Sequence, residues 1–217
     1  MPQQVLALPD GQAWSDLSIF VNRAKRVDPT GAARLVGYGE ILAVYASPVH
    51  GGGGPTVIGL RAMRLAEPSK IDVTVPLAAL CDRLAHQPGP KLSVPPTDAP
   101  GVVWAGVLPP RDGWTPVGVV DPVRLIDRAA AGVAEVTAGA PAGSGAAAVA
   151  ALRGRVWGGP LSRELPQMPA GVAFVADSLG FVAAIDTALL GVYRNGPWWR
   201  ASSPRGHTMA RQPSLSG

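Results

Sequence analysis

The chain has 217 residues, a length that fits one large domain or two small ones. Hydrophobic residues make up 47% and charged residues 16%, against about 25% charged in average usage, so the chain can bury a sizeable core and is not disordered throughout. The net charge of +4 is too small to point to nucleic acid by itself, but all of it lies after Asp186, where Arg194, Arg200, Arg205 and Arg211 meet no acidic residue.

The opening MPQQVLALPDGQAW lacks the basic start and long apolar core of a signal peptide. Residues 129–152 are weakly charged, yet Glu135, Gly132, Gly139 and Pro141 interrupt them, so no membrane insertion is expected. A single cysteine, Cys81, permits no internal disulfide and no CxxC site. Together these features point to the cytoplasm.

Residues 1–14 have no period and read as an irregular lead-in. Ser15 and Asp16 can cap a helix whose Leu17, Phe20, Val21, Ala24 and Val27 share one face, and Asp28-Pro29 stops it. Residues 33–46 read as one long strand bent at Gly37 and Gly39. A glycine loop at 50–55 leads to a return strand at 56–65, and a third strand at 70–75 completes a meander. Pro76 opens a helix with Leu77, Leu80, Cys81 and Leu84 inward. The run QPGPKLSVPPTDAP, with five prolines, reads as an interdomain linker.

The second half opens with strands at 102–108 and 114–120. Asp121-Pro122 is a strong helix start, and Val123, Ile126, Ala130 and Val133 form the expected apolar side. A flexible connector at 137–145 precedes a helix at 146–157, with Val149, Leu152 and Val156 inward. A short helix follows from Pro169, with Val172, Val175 and Leu179 on one stripe. Strands at 188–193 and 198–202 flank Asn195-Gly196, a hairpin signal, and a turn at Ser203-Pro204 leads to a last strand at 207–211.

The expected fold is therefore α+β, with two small domains, each a short antiparallel sheet with packed helices. The first spans residues 15–87, the second 101–211, and the proline-rich linker 88–100 separates them.

The stretches LPPRDGWTPVGVV, MPAGVAFVADSLGF and WWRASSPRGHTMAR resemble those of an uncharacterised actinobacterial family, from high-GC Gram-positive bacteria. The resemblance implies a cytoplasmic, two-domain protein and carries over no functional residue.

Chemical motifs are sparse. His50, His86 and His207 show no metal-ligand spacing, and no GxSxG elbow occurs. Cys81 lies on an apolar helical stripe, where a core role outweighs reactivity. The four glycines 51–54 join two strands and lack the following Lys-Ser or Lys-Thr of a phosphate loop. Asp121 and Asp127 stand about 1.7 turns apart on one helix, with Asp121 already a cap, and suggest no acid–base pair. No cofactor is expected.

The terminal hairpin alone rises above this background. Arg194, Trp198, Arg200, Arg205, His207 and Arg211 form a candidate macromolecule-binding surface, with one of Trp198 and Trp199 entering the core and the other lying beside arginine. Three helices and a basic hairpin resemble a winged helix, but AGVAFVADSLGF offers only Asp177 and Ser178 to a groove. The favoured reading is a non-enzymatic interaction or regulatory protein with a protein partner or its own copy. The alternatives are a nucleic-acid-binding regulator using the basic hairpin, and a small-ligand sensor.

Overall fold

The computed structural model describes residues 4–51, 53–87, 89–96, 99, 101–140 and 143–212. The chain divides into two compact units, one of Met1–Pro48 with Leu60–Leu108 and the other of Val49–Gly59 with Pro109–Gly217. Each combines helices with antiparallel strands, so the α+β reading holds.

In the first unit, β1 (Val5–Ala7) precedes α1 (Gly11–Val27). The helix starts earlier than its periodicity predicts, because Asp10 is the cap: its Oδ1 accepts from the Ala13 amide at 2.8 Å. Asp16 instead lies within the helix and accepts from Arg61 Nε at 2.8 Å. Leu17, Phe20, Val21 and Ala24 are buried as expected.

Strand β2 (Ala32–Val49) is the long bent strand predicted. Its bend has two causes. A Cβ on Gly37 would lie 2.6 Å from the Ser69 carbonyl oxygen, and Gly39 takes φ +64°. Strands β3 (Thr56–Ser69) and β4 (Asp72–Pro76) follow, but the order is β4-β2-β3, not that of a meander. Residues Ala32–Val36 pair with β4, and the Gly37 amide donates to the Ile71 carbonyl, so β4 returns along the outer side of β2. Helix α2 (Leu77–His86) then buries Leu77, Leu80, Cys81 and Leu84.

Within the segment expected as a linker, Lys91–Ser93 forms β5, paired with β1 in the register Leu6↔Leu92. Both leucines are fully buried, and that burial outweighs the extended bias of the flanking prolines. Pro88, Thr97, Asp98 and Pro100 of that segment lie outside the described residues. A 3-10 turn at Val103–Gly106, with Trp104 buried, stands where a strand was expected.

In the second unit, β6 (Thr115–Val120), β7 (Leu190–Asn195), β8 (Trp198–Ser203) and β9 (Gly206–Arg211) form an antiparallel run in the order β9-β8-β7-β6. The β7–β8 turn is Gly196-Pro197, with Gly196 at φ +53° and Asn195 paired to Trp198. Asn195 therefore ends the strand instead of entering the turn; its Nδ2 donates to the Asp112 carbonyl at 2.8 Å.

Helices α3 (Pro122–Gly139), α4 (Ala146–Gly158) and α5 (Gly171–Ser178) pack together. Asp121 caps α3 as predicted, accepting from the Val123 amide at 2.7 Å. The buried face is rotated by one residue from the expected one: Pro122, Leu125, Ala129 and Gly132 face inward, while Val123 and Val133 are exposed. Trp157 of α4 selects this face, because only Gly132 leaves room for its ring. The same indole stacks on Phe174 with centroids 4.5 Å apart.

Candidate functional site

Alternation along β7, β8 and β9 sorts the terminal residues onto two faces, since directly paired residues share a face. Val192, Ala201, Thr208 and Ala210 share one face and are buried. Phe181, just after α5, covers that side, for a Cβ on Gly206 would lie 2.4 Å from its ring. Tyr193, Arg200, Ser202 and His207 share the other face and stay partly exposed.

The six residues singled out from sequence are therefore not one surface. Trp198, Arg200, His207 and Arg211 share the second face, whereas Arg194 pairs with Trp199 on the first and Arg205 sits in the β8–β9 turn. Both indoles are buried, Trp198 at 5% exposure and Trp199 at 9%, so the expected division between a core ring and an exposed one does not occur. Arg194 covers Trp199, with Cζ 5.3 Å from the ring centroid, and its Nε donates to the Gly196 carbonyl at 3.2 Å. The closed hairpin turn holds that side chain over the indole.

Arg205 also has the acid that the local sequence lacks. Its two terminal nitrogens each donate to Asp186, Nη1 to Oδ2 and Nη2 to Oδ1, both at 2.7 Å. Asp186 lies nineteen positions earlier, and its Oδ2 also accepts from the Ala183 amide at 2.8 Å. His207 Nδ1 stands 2.9 Å from Ser202 Oγ, the residue paired with it across the strands.

Arg200 is in a different situation. Its guanidinium carbon lies 4.5 Å from the centroid of Trp114 and 4.4 Å from that of Tyr193. Tyr193 is its cross-strand partner on β7, and Trp114 arrives from the residue before β6, anchored by Nε1 donating to the Pro110 carbonyl at 3.0 Å. Arg200 Nε is shut off from solvent with no hydrogen-bond partner among the described residues. Burial pushes the guanidinium below its ordinary value, a trend the nearby Tyr193 oxygen opposes. Neither ring contact was predicted, because no spacing rule places Trp114 beside Arg200; only the register between β6, β7 and β8 does.

The other candidates do not converge. Among the described residues no three His, Cys, Asp or Glu side chains gather where a metal ion could be held. Cys81 is buried, and desolvation raises its thiol above the usual range. Helix α5 is itself core: Val172, Ala173, Val175 and Ala176 are fully buried, so it presents no recognition surface. No described helix is long and apolar enough to cross a membrane.

No curated protein matches the sequence. Among solved structures the chain is similar to a DNA polymerase sliding clamp from Pseudomonas aeruginosa crystallised with ligand, with a TM-score of 0.48 and 13% identity. That match covers 98% of this chain, which spans only 65% of the clamp chain. Residues 1–106 match one domain of unknown function, DUF8010, and residues 109–215 match a second, DUF8185. The chain is thus a tandem of two matched domains of unknown function.

Proposed function

We propose that this is a non-enzymatic cytoplasmic protein of high-GC Gram-positive bacteria that works by binding another protein through the partly exposed residues around Arg200 on its terminal strands. The abundance of arginine, alanine, glycine and proline supports the bacterial group. The observation that carries the binding role is the stack of Trp114, Arg200 and Tyr193. Aromatic and arginine side chains are the residue types most enriched at the energetic centres of protein interfaces. Here they are held rigid by strand pairing and by the Trp114–Pro110 hydrogen bond, which lowers the ordering cost of association.

The basic hairpin is less suited to nucleic acid than its composition implies. Neutralising successive phosphates needs several available cations along one surface. Arg205 is tied to Asp186, and Arg194 is turned to the opposite face over Trp199.

Affinity purification of the full chain from its native host, with and without nuclease, tests the reading. Recovery of the same protein partner in both arms supports it. Recovery only of nuclease-sensitive material overturns it in favour of nucleic acid.

A further inference from the structure

Five arginines form ion pairs within their own units among the described residues. Arg34 is paired with Asp72, Arg61 with Asp16, Arg64 with Glu40, Arg124 with Glu164 and Arg205 with Asp186. Arg200 is half-buried, yet no hydrogen bond or ion pair to its side chain occurs among the described residues. Its compensation comes from two rings, whose centroids lie 4.5 and 4.4 Å from its Cζ. A ring face offers nothing to N–H groups that point outward in the guanidinium plane.

A half-desolvated cation of this kind is ordinarily matched by an acceptor, because buried charge without a partner is costly. With Nε shut off from solvent, the edge left to a partner is that of the two terminal nitrogens, and the acceptor that fits it is a carboxylate, whose two oxygens meet two N–H groups. None pairs with Arg200 among the described residues. On β8 and β9 the residues that share the face with Arg200 are Trp198, Ser202, His207, Met209 and Arg211, and none is acidic. Contact with the two rings also limits the freedom of the side chain before any partner arrives.

We propose that Arg200, clamped between Trp114 and Tyr193, is the docking point for an aspartate or glutamate side chain of a partner protein. This rests on the protein-binding reading above and names the chemistry that the partner must bring. A carboxylate is favoured over a nucleic-acid phosphate because Arg194 lies on the opposite face and Arg205 is tied to Asp186, which leaves Arg211 as the one other arginine of the hairpin on this face, too few cations for a phosphate repeat. Association through one guanidinium predicts a requirement for arginine: lysine keeps the charge but loses the paired geometry.

The experiment is selection of binders to the full chain from a random peptide display library, with affinities measured by fluorescence anisotropy. Selected peptides are expected to contain Asp or Glu, and changing those residues to Asn or Gln is expected to weaken binding about tenfold or more. Arg200→Lys should cause a similar loss, while Arg64→Ala leaves affinity unchanged. The peptide substitutions alter no residue of the protein, so they stand whatever the variant does to folding. Failure to select acidic peptides, or affinity indifferent to both the peptide acids and Arg200→Lys, overturns the proposal. A fluorescent oligothymidylate that binds more tightly than any peptide overturns it as well. If a host protein partner is recovered and Arg200→Lys leaves that recovery intact, the docking chemistry fails while the protein-binding reading stands.

Discussion

Asp186 receives Arg205 through two parallel hydrogen bonds of 2.7 Å, one to each carboxylate oxygen. The contact ties the β8–β9 turn to the loop that leaves α5, two segments far apart in sequence. It also removes Arg205 from the set of cations open to a ligand, and so changes the electrostatic character of the whole terminus.

Asp186→Ala should therefore lower stability in urea unfolding by about 1 kcal/mol, because the pair is bidentate yet partly exposed. Adding Arg205→Ala should cost little more, and a double-mutant cycle should return a coupling of about 0.5–1 kcal/mol.

Gly132→Ala sets two effects against each other. Alanine gains about 1 kcal/mol of helix propensity over glycine. Its Cβ, however, would lie 2.3 Å from the Trp157 ring, which is buried and stacked on Phe174 and has no room to retreat. Overpacking of about 1–3 kcal/mol should win, so the variant melts earlier than wild type. Gly11→Ala in α1, where the added atom meets nothing within 4 Å, is the control and should not destabilise.

Trp114→Leu should cost about 1 kcal/mol by removing one wall of the Arg200 clamp. Differential scanning calorimetry reads the loss, and partner affinity should fall with it. Tyr193→Leu should behave alike, since the two rings lie at nearly equal distances.

Cys81 should resist thiol reagents in the folded protein. Burial is the largest influence on its thiol and holds the protonated form, with the field of Lys25 opposing it. The folded value lies above the unfolded one. The stability this contributes is thus intact below the ordinary thiol range and is lost as pH climbs through the folded value. Alkylation by iodoacetamide at pH 8 should be slow in buffer and fast in guanidinium chloride.

The sequence disclosed elements better than it disclosed their neighbours. Asp121-Pro122 announced α3, and the inward leucines of α2 followed from spacing, because caps and helical periods are local. The face of α3 did not follow. Val123 and Val133 have more apolar surface than Gly132, but the deciding contact is Trp157, on another helix. For the same reason, the basic hairpin was visible as composition while its division into two faces was not. Arg205 lacked a local acid until the chain folded Asp186 against it, and Arg200 gained its rings from β7 and from the residue before β6. Short prolines misled as well: Leu92 is a buried strand residue inside a run that reads as a linker.

The binding role is tested most directly by hydrogen exchange of the full chain, alone and with the protein partner recovered from the host. Slower exchange across residues 190–211 and around Trp114 is the predicted result. Protection confined to other parts of the chain would contradict it.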